Sequence, residues 1–266
     1  MAAHHPAVVA LTIALGLAAG GCAARASGPR VLSTTALQAR PTIEGAWISD
    51  YDTALVSIAR IMQRDLGLPV VPVDLYFYPN RDGLQAALVA GGYDHELAED
   101  TAATMAAITG FRRVLLNDAT LRPLDWPFRV ALLAHELTHT VQYELSGGRR
   151  GSSEQWLREG FAEWVEVEVL TALGFTTRDQ ALTIARERVR RARGLPPLTD
   201  LVTFPDWVRM SLRVGTDALY AQALLAASLL VEQYGVPAVL TYFRLFADSE
   251  DRLANFERAF GEDLTA

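Results

Sequence analysis

The feature that most limits what this chain can fold into is a change of hydrophobic period near Asp125. Before it, short β-prone runs alternate with helical stretches. After it, apolar residues recur every three to four positions almost to the end. Strands confined to the N-terminal half, followed by a run of helices, predict an α+β domain with a small N-terminal sheet and a mostly helical C-terminal half. In the first half, Trp47, Tyr51, Leu55, Ile58 and Met62 mark a helix that Gly67 and Pro69 end. "VVPVDLYFYPN" (Val70 to Asn80) reads as a strand, Asp82 to Val89 as a short helix, and "FRRVLLND" (Phe111 to Asp118) as a second strand. In the second half, helices are expected from Asp125, an N-cap before Trp126-Pro127, to Leu145, and from Ser153 to Leu173. Others follow over Thr177–Arg193, Asp217–Tyr234, Pro237–Phe246 and Asp251–Phe260.

The chain has 266 residues, half of them hydrophobic, enough for a real core and too many for a disordered polymer. A net charge of −7 argues against nucleic acid as the main partner. All the basic residues are arginine, as expected of a GC-rich coding sequence. The opening segment joins an apolar run, Val8 to Ala19, to small residues and the single cysteine, Cys22. That run has the length of a signal-peptide core and is too short to span a bilayer. The segment resembles a bacterial lipoprotein signal, though Ala19 stands where Leu is usual. The resemblance implies a signal peptide over 1–21, lipidation of Cys22, export, and a lipid anchor in the cell envelope. Ala23 after the cysteine resembles outer-membrane sorting, on the periplasmic side. Residues 22–43, rich in Ala, Ser, Thr and Arg, read as a flexible tether. Residues 44–266 are left as the folded domain.

Chemistry concentrates in "ALLAHELTHTVQYEL" (Ala131 to Leu145). On a helix, His135 and His139 lie on one face, roughly 6 Å apart along the axis, and can converge on one ion. Glu136 is angled away from the ligands, toward a metal-bound water whose proton a carboxylate can draw off. A catalytic zinc needs a third protein ligand and an open position. "EQWLREGFAEWVEVEVL" (Glu154 to Leu170) offers candidates.

HELTH followed by Trp-Leu-Arg-Glu-Gly-Phe-Ala-Glu-Trp resembles the gluzincin metallopeptidases, in which the glutamate of the second motif is the third zinc ligand. Here that is Glu159, with nineteen residues between it and His139. The resemblance covers roughly Glu44 to the end and is specific between His135 and Glu163. It implies a zincin-like fold, a Zn²⁺ cofactor, a peptide or protein substrate, and Glu163 as the carboxylate orienting the first histidine. It further implies Tyr220, at the start of "DALYAQALLAASLLVEQYG", as an oxyanion donor, and "FRRVLLND" as the cleft-edge strand that pairs with substrate. The family's C-terminal segment usually continues beyond "FERAFGEDLTA". Glu166 and Glu168 match no metal role and read as a solvated face, Tyr234 as a helix end, and His95 as a surface loop residue. The run Arg186 to Arg193 suits a helix C-terminus, with contact to anionic lipid or polymer as a weaker reading. The function expected is hydrolysis of peptide bonds by a zinc metallopeptidase. The rivals are a non-hydrolytic zinc-binding domain that holds a protein partner in its cleft, a zinc hydrolase of another bond, and a metal-free lipoprotein.

Overall fold

The computed structural model describes residues 28–37 and 48–264; Cys22 and the signal segment lie outside them. The elements are β1 (Arg30–Ser33), α1 (Thr34–Leu37), α2 (Tyr51–Arg60, continued by a π-turn over Ile61–Asp65), β2 (Asp74–Tyr78), α3 (Arg81–Ala90), α4 (His95–Thr104), β3 (Ala107–Gly110), β4 (Arg113–Asn117) and α5 (Asp118–Leu121). Then come α6 (Trp126–Leu145), α7 (Gln155–Ala172), α8 (Arg178–Arg191), α9 (Phe204–Val214), α10 (Thr216–Leu245) and α11 (Arg252–Phe260). This is the expected α+β arrangement, a small mixed sheet with a helical second half.

The strands run in the order β1-β2-β4-β3, with β2 and β4 parallel and both outer pairs antiparallel. Strand alternation divides the sheet's two faces. Leu75, Phe77, Val114 and Leu116 enter the main core, while Leu115 joins Leu84, Leu88, Ala98 and Ala102 of α3 and α4 in a smaller cluster. Three expectations change here. Arg30 to Leu37, assigned to the tether, form β1 and α1, because β1 finds its ladder on β2. The strand within Phe111–Asp118 is β4, an interior strand; the edge beside α6 is β3, which the sequence reading left out. His95 opens α4 instead of lying in a loop, and it is exposed.

Asp125 caps α6, accepting from Phe128 N, and Thr177 opens α8 with a reciprocal capping box. The helix α10 is long and apolar enough to cross a membrane by composition. Here it breaks at Gly235 (φ 78°), where the expected boundary between two helices falls, and its buried face packs on α7, α8 and α11. The centre of the molecule is α7. Every residue from Gln155 to Leu170 is buried, including Arg158, Glu159, Glu163, Glu166 and Glu168. The solvated face expected at Glu166 and Glu168 therefore does not exist. Glu168 is tied to Arg178 through both carboxylate oxygens, and Glu166 points inward. At Gly160 the backbones of α7 and α10 come so close that an added Cβ would sit 2.2 Å from Ala223 O.

Candidate metal centre

Two helices build the site. On α6, His135 and His139 stand one turn apart with Nε2 atoms 3.1 Å from each other. From α7, Glu159 Oε2 reaches His135 Nε2 at 3.2 Å and His139 Nε2 at 3.5 Å. The three donor atoms form a compact group that could hold a metal ion. Both histidines and Glu159 lie largely out of solvent, with side-chain exposures of 8%, 13% and 8%.

What lies behind each donor fixes which atom faces the centre. His139 Nδ1 is 2.9 Å from Gln142 Oε1, while the Gln142 amide donates to the Arg158 carbonyl at 2.9 Å. With the amide oriented by that carbonyl, His139 carries its proton on Nδ1 and presents the Nε2 lone pair. His135 Nδ1 faces Glu163 Oε1 at 3.3 Å and Glu166 Oε2 at 3.8 Å, which sets the same tautomer. Glu159 Oε1 accepts from Gln155 Nε2 at 2.5 Å, leaving Oε2 for the centre. Such outer partners hold ligands in place and raise their basicity.

The electrostatics follow from burial and proximity. Burial works against a charged His135, but hydrogen bonds to Glu159 and Glu163 outweigh it and raise its pKa well above the usual value. Burial also works against ionised Glu159, and the two histidines overcome it, lowering its pKa well below the usual range. Glu166 is raised, first by burial and then by the charge of Glu163. The Tyr220 phenol is pushed well up by burial and then by Glu159 and Glu163, so it stays a neutral donor.

Glu136 and Tyr220 line one cavity with His135. The Glu136 carboxylate accepts a short hydrogen bond from the Thr109 hydroxyl of β3. The Tyr220 ring lies 6.0 Å from that of His135 and meets Trp207 of α9 edge-on at 4.9 Å. The structure thus gathers His135, His139, Glu136, Glu159, Glu163 and Tyr220, and adds Glu166, which sequence reasoning had placed in solvent. Tyr234 sits at the Gly235 break against Phe260, away from these groups. Arg188 and Arg191 of the basic run pair with Asp217 and Glu187.

Four participants escaped sequence reasoning. Gln142 sits one turn past His139 and Gln155 one turn before Glu159, spacings that could have marked them. Trp207 belongs to α9, whose Thr203-x-x-Asp206 capping box with Pro205 was a readable start signal. Thr109 lies in a four-residue strand that carries no signal of its own. Comparison of the chain with family models, curated proteins and solved structures finds no match.

Proposed function

We propose that the chain is a gluzincin-type zinc metallopeptidase of zincin-like fold that hydrolyses peptide bonds. The observation carrying this reading is the triangle of His135 Nε2, His139 Nε2 and Glu159 Oε2, with sides of 3.1, 3.2 and 3.5 Å, each donor held from behind. A tetrahedral zinc with ligands at 2.0–2.1 Å has edges of about 3.3 Å, so the triangle fits that ion with little adjustment. Two imidazoles and one carboxylate, with His135 and Glu136 lining a cavity beside them, match a catalytic zinc in donor type as well. Zinc there supplies Lewis acidity toward a carbonyl and lowers the pKa of a water to about 7.

The chain's own residues supply the rest. Glu136, held by Thr109 at the cavity wall, takes a proton from the attacking water and passes it to the leaving amine. Tyr220 donates to the oxygen on which negative charge develops. Glu163 keeps His135 turned to the centre. The edge strand β3 offers backbone groups beside Glu136 on which an extended substrate can pair. Export and anchoring through Cys22 complete the proposal and place the activity at the cell envelope.

The test is Glu136→Gln. Its zinc content should equal that of the unaltered protein, while turnover of a mixed fluorogenic peptide library should fall by about 10²- to 10⁴-fold. Zinc bound with no turnover by either protein would favour the non-hydrolytic, partner-binding alternative.

A further inference from the structure

Resting on the peptidase reading, we infer that the substrate presents an extended apolar segment of about four residues, and that helix α9 selects it. A cavity of about 260 Å³ opens directly on Glu136, His135 and Tyr220. Its size is below the roughly 300–1,000 Å³ typical of pockets for whole drug-sized ligands, which suits a side chain. One wall of the cavity is α9. Trp207, 3% exposed, pins that helix to Tyr220. Phe204, Val208 and Leu212 then stand in one stripe at i, i+4 and i+8, with exposures of 42%, 37% and 86%.

Among the described residues ten large hydrophobic side chains are exposed, and these three fall within the eleven residues of α9. All three also line the cavity. An apolar stripe contiguous with a reactive centre is a surface for what reacts there. Eight residues of helix cover about 12 Å, which an extended peptide spans with about four residues at 3.3 Å each. One residue of the segment would fill the cavity and the others would lie along the stripe. The wall includes Ser211, whose buried Oγ has no hydrogen-bond partner. Glu136 also lines the cavity, and its carboxylate would repel an acidic segment.

The test uses the zinc-loaded full chain and calorimetric binding of peptide hydroxamates of one length. These carry four leucines, serines, glutamates or lysines, with acetohydroxamate as the metal probe. The leucine compound should bind at least about 10-fold tighter than the serine compound, the usual discrimination of an apolar pocket. Leu212→Asp, at a side chain 86% exposed, and Val208→Asp should each bring that ratio toward one, with the helical circular-dichroism signal retained. Equal binding of leucine and serine compounds, a preference for lysine, or a ratio untouched in both variants overturns the inference while the metal reading stands. Failure of acetohydroxamate itself to bind removes the metal reading, and this inference falls with it.

Discussion

Glu154, the N-cap of α7, and Glu166, roughly three turns further on, are both almost fully buried, at 0% and 1% exposure, and the fold treats them differently. Around Glu154 the protein supplies its own counter-charges. Arg252 pairs with Oε1 through a short contact, and the neighbouring Arg158 donates to the Arg150 carbonyl and Ser153 Oγ between the rings of Tyr143 and Phe243. Around Glu166 and Glu163 both carboxylates converge on one imidazole, at 3.8 and 3.3 Å from His135 Nδ1, and Glu154 Oε2 and Glu166 Oε1 alike keep no hydrogen-bond partner. Buried charge without a partner is costly. In the first stretch Glu154 has a guanidinium of its own, while in the second two carboxylates share one imidazole. The second makes sense when the positive charge of a metal reaches the carboxylates through His135.

Breaking the Arg252–Glu154 pair should have the largest effect. Arg252→Ala leaves Glu154 buried and unpaired, and should cost about 2–3 kcal/mol in denaturant unfolding, less than a fully buried pair because Arg252 is part-exposed. Burial raises the Glu154 pKa despite Arg252. Between the unfolded value of about 4.3 and that raised value, the folded chain holds more protons than the unfolded one. The Glu154 contribution is therefore present below pH 4.3 and is lost as pH rises through the folded pKa. In Arg252→Ala this fall should extend to higher pH, and adding Glu154→Gln should remove it. An unchanged pH range would contradict the assignment to Glu154.

Glu163→Gln acts on the other stretch. Zinc affinity, measured by competition with a chelator, should drop about 10- to 100-fold while the metal-free protein keeps its stability. A variant that loses stability but binds zinc normally would make Glu163 a structural residue like Glu154. The smallest effect, and the sharpest contrast in sign, is expected from Glu166→Gln. Burial and then Glu163 disfavour an ionised Glu166, so an amide that carries no charge removes that cost near neutral pH and the metal-free protein should gain about 1 kcal/mol. Destabilisation there would erase the distinction between the two stretches.

Much of the helical half was readable because its boundary chemistry is local. Asp125, Thr177 and Asp251 each cap the helix that the sequence assigns to them. The metal group was readable because HELTH and WLREGFAEW carry their spacing within two helices. The inward face of α7 was not. Glu159, Glu163 and Glu166 form a stripe at helical spacing, and a charged stripe ordinarily faces water. Only packing of α6, α8 and α10 around that helix turns the stripe inward. Strands β1 and β3, four residues each, owe their conformation to β2 and β4 and leave little trace in their own residues. Thr109 was invisible for the same reason.

The near-contact at Gly160 acts as a gauge block. One residue after the candidate ligand Glu159, the main chain of α7 rests against the main chain of α10, three residues past Tyr220. The interval between the metal-ligand set and the tyrosine is thus set by backbone against backbone, with no rotamer to adjust it. His135, His139, Glu159 and Tyr220 ride on one stiff frame, so any change in the shape of the cavity beside them falls to its α9 wall.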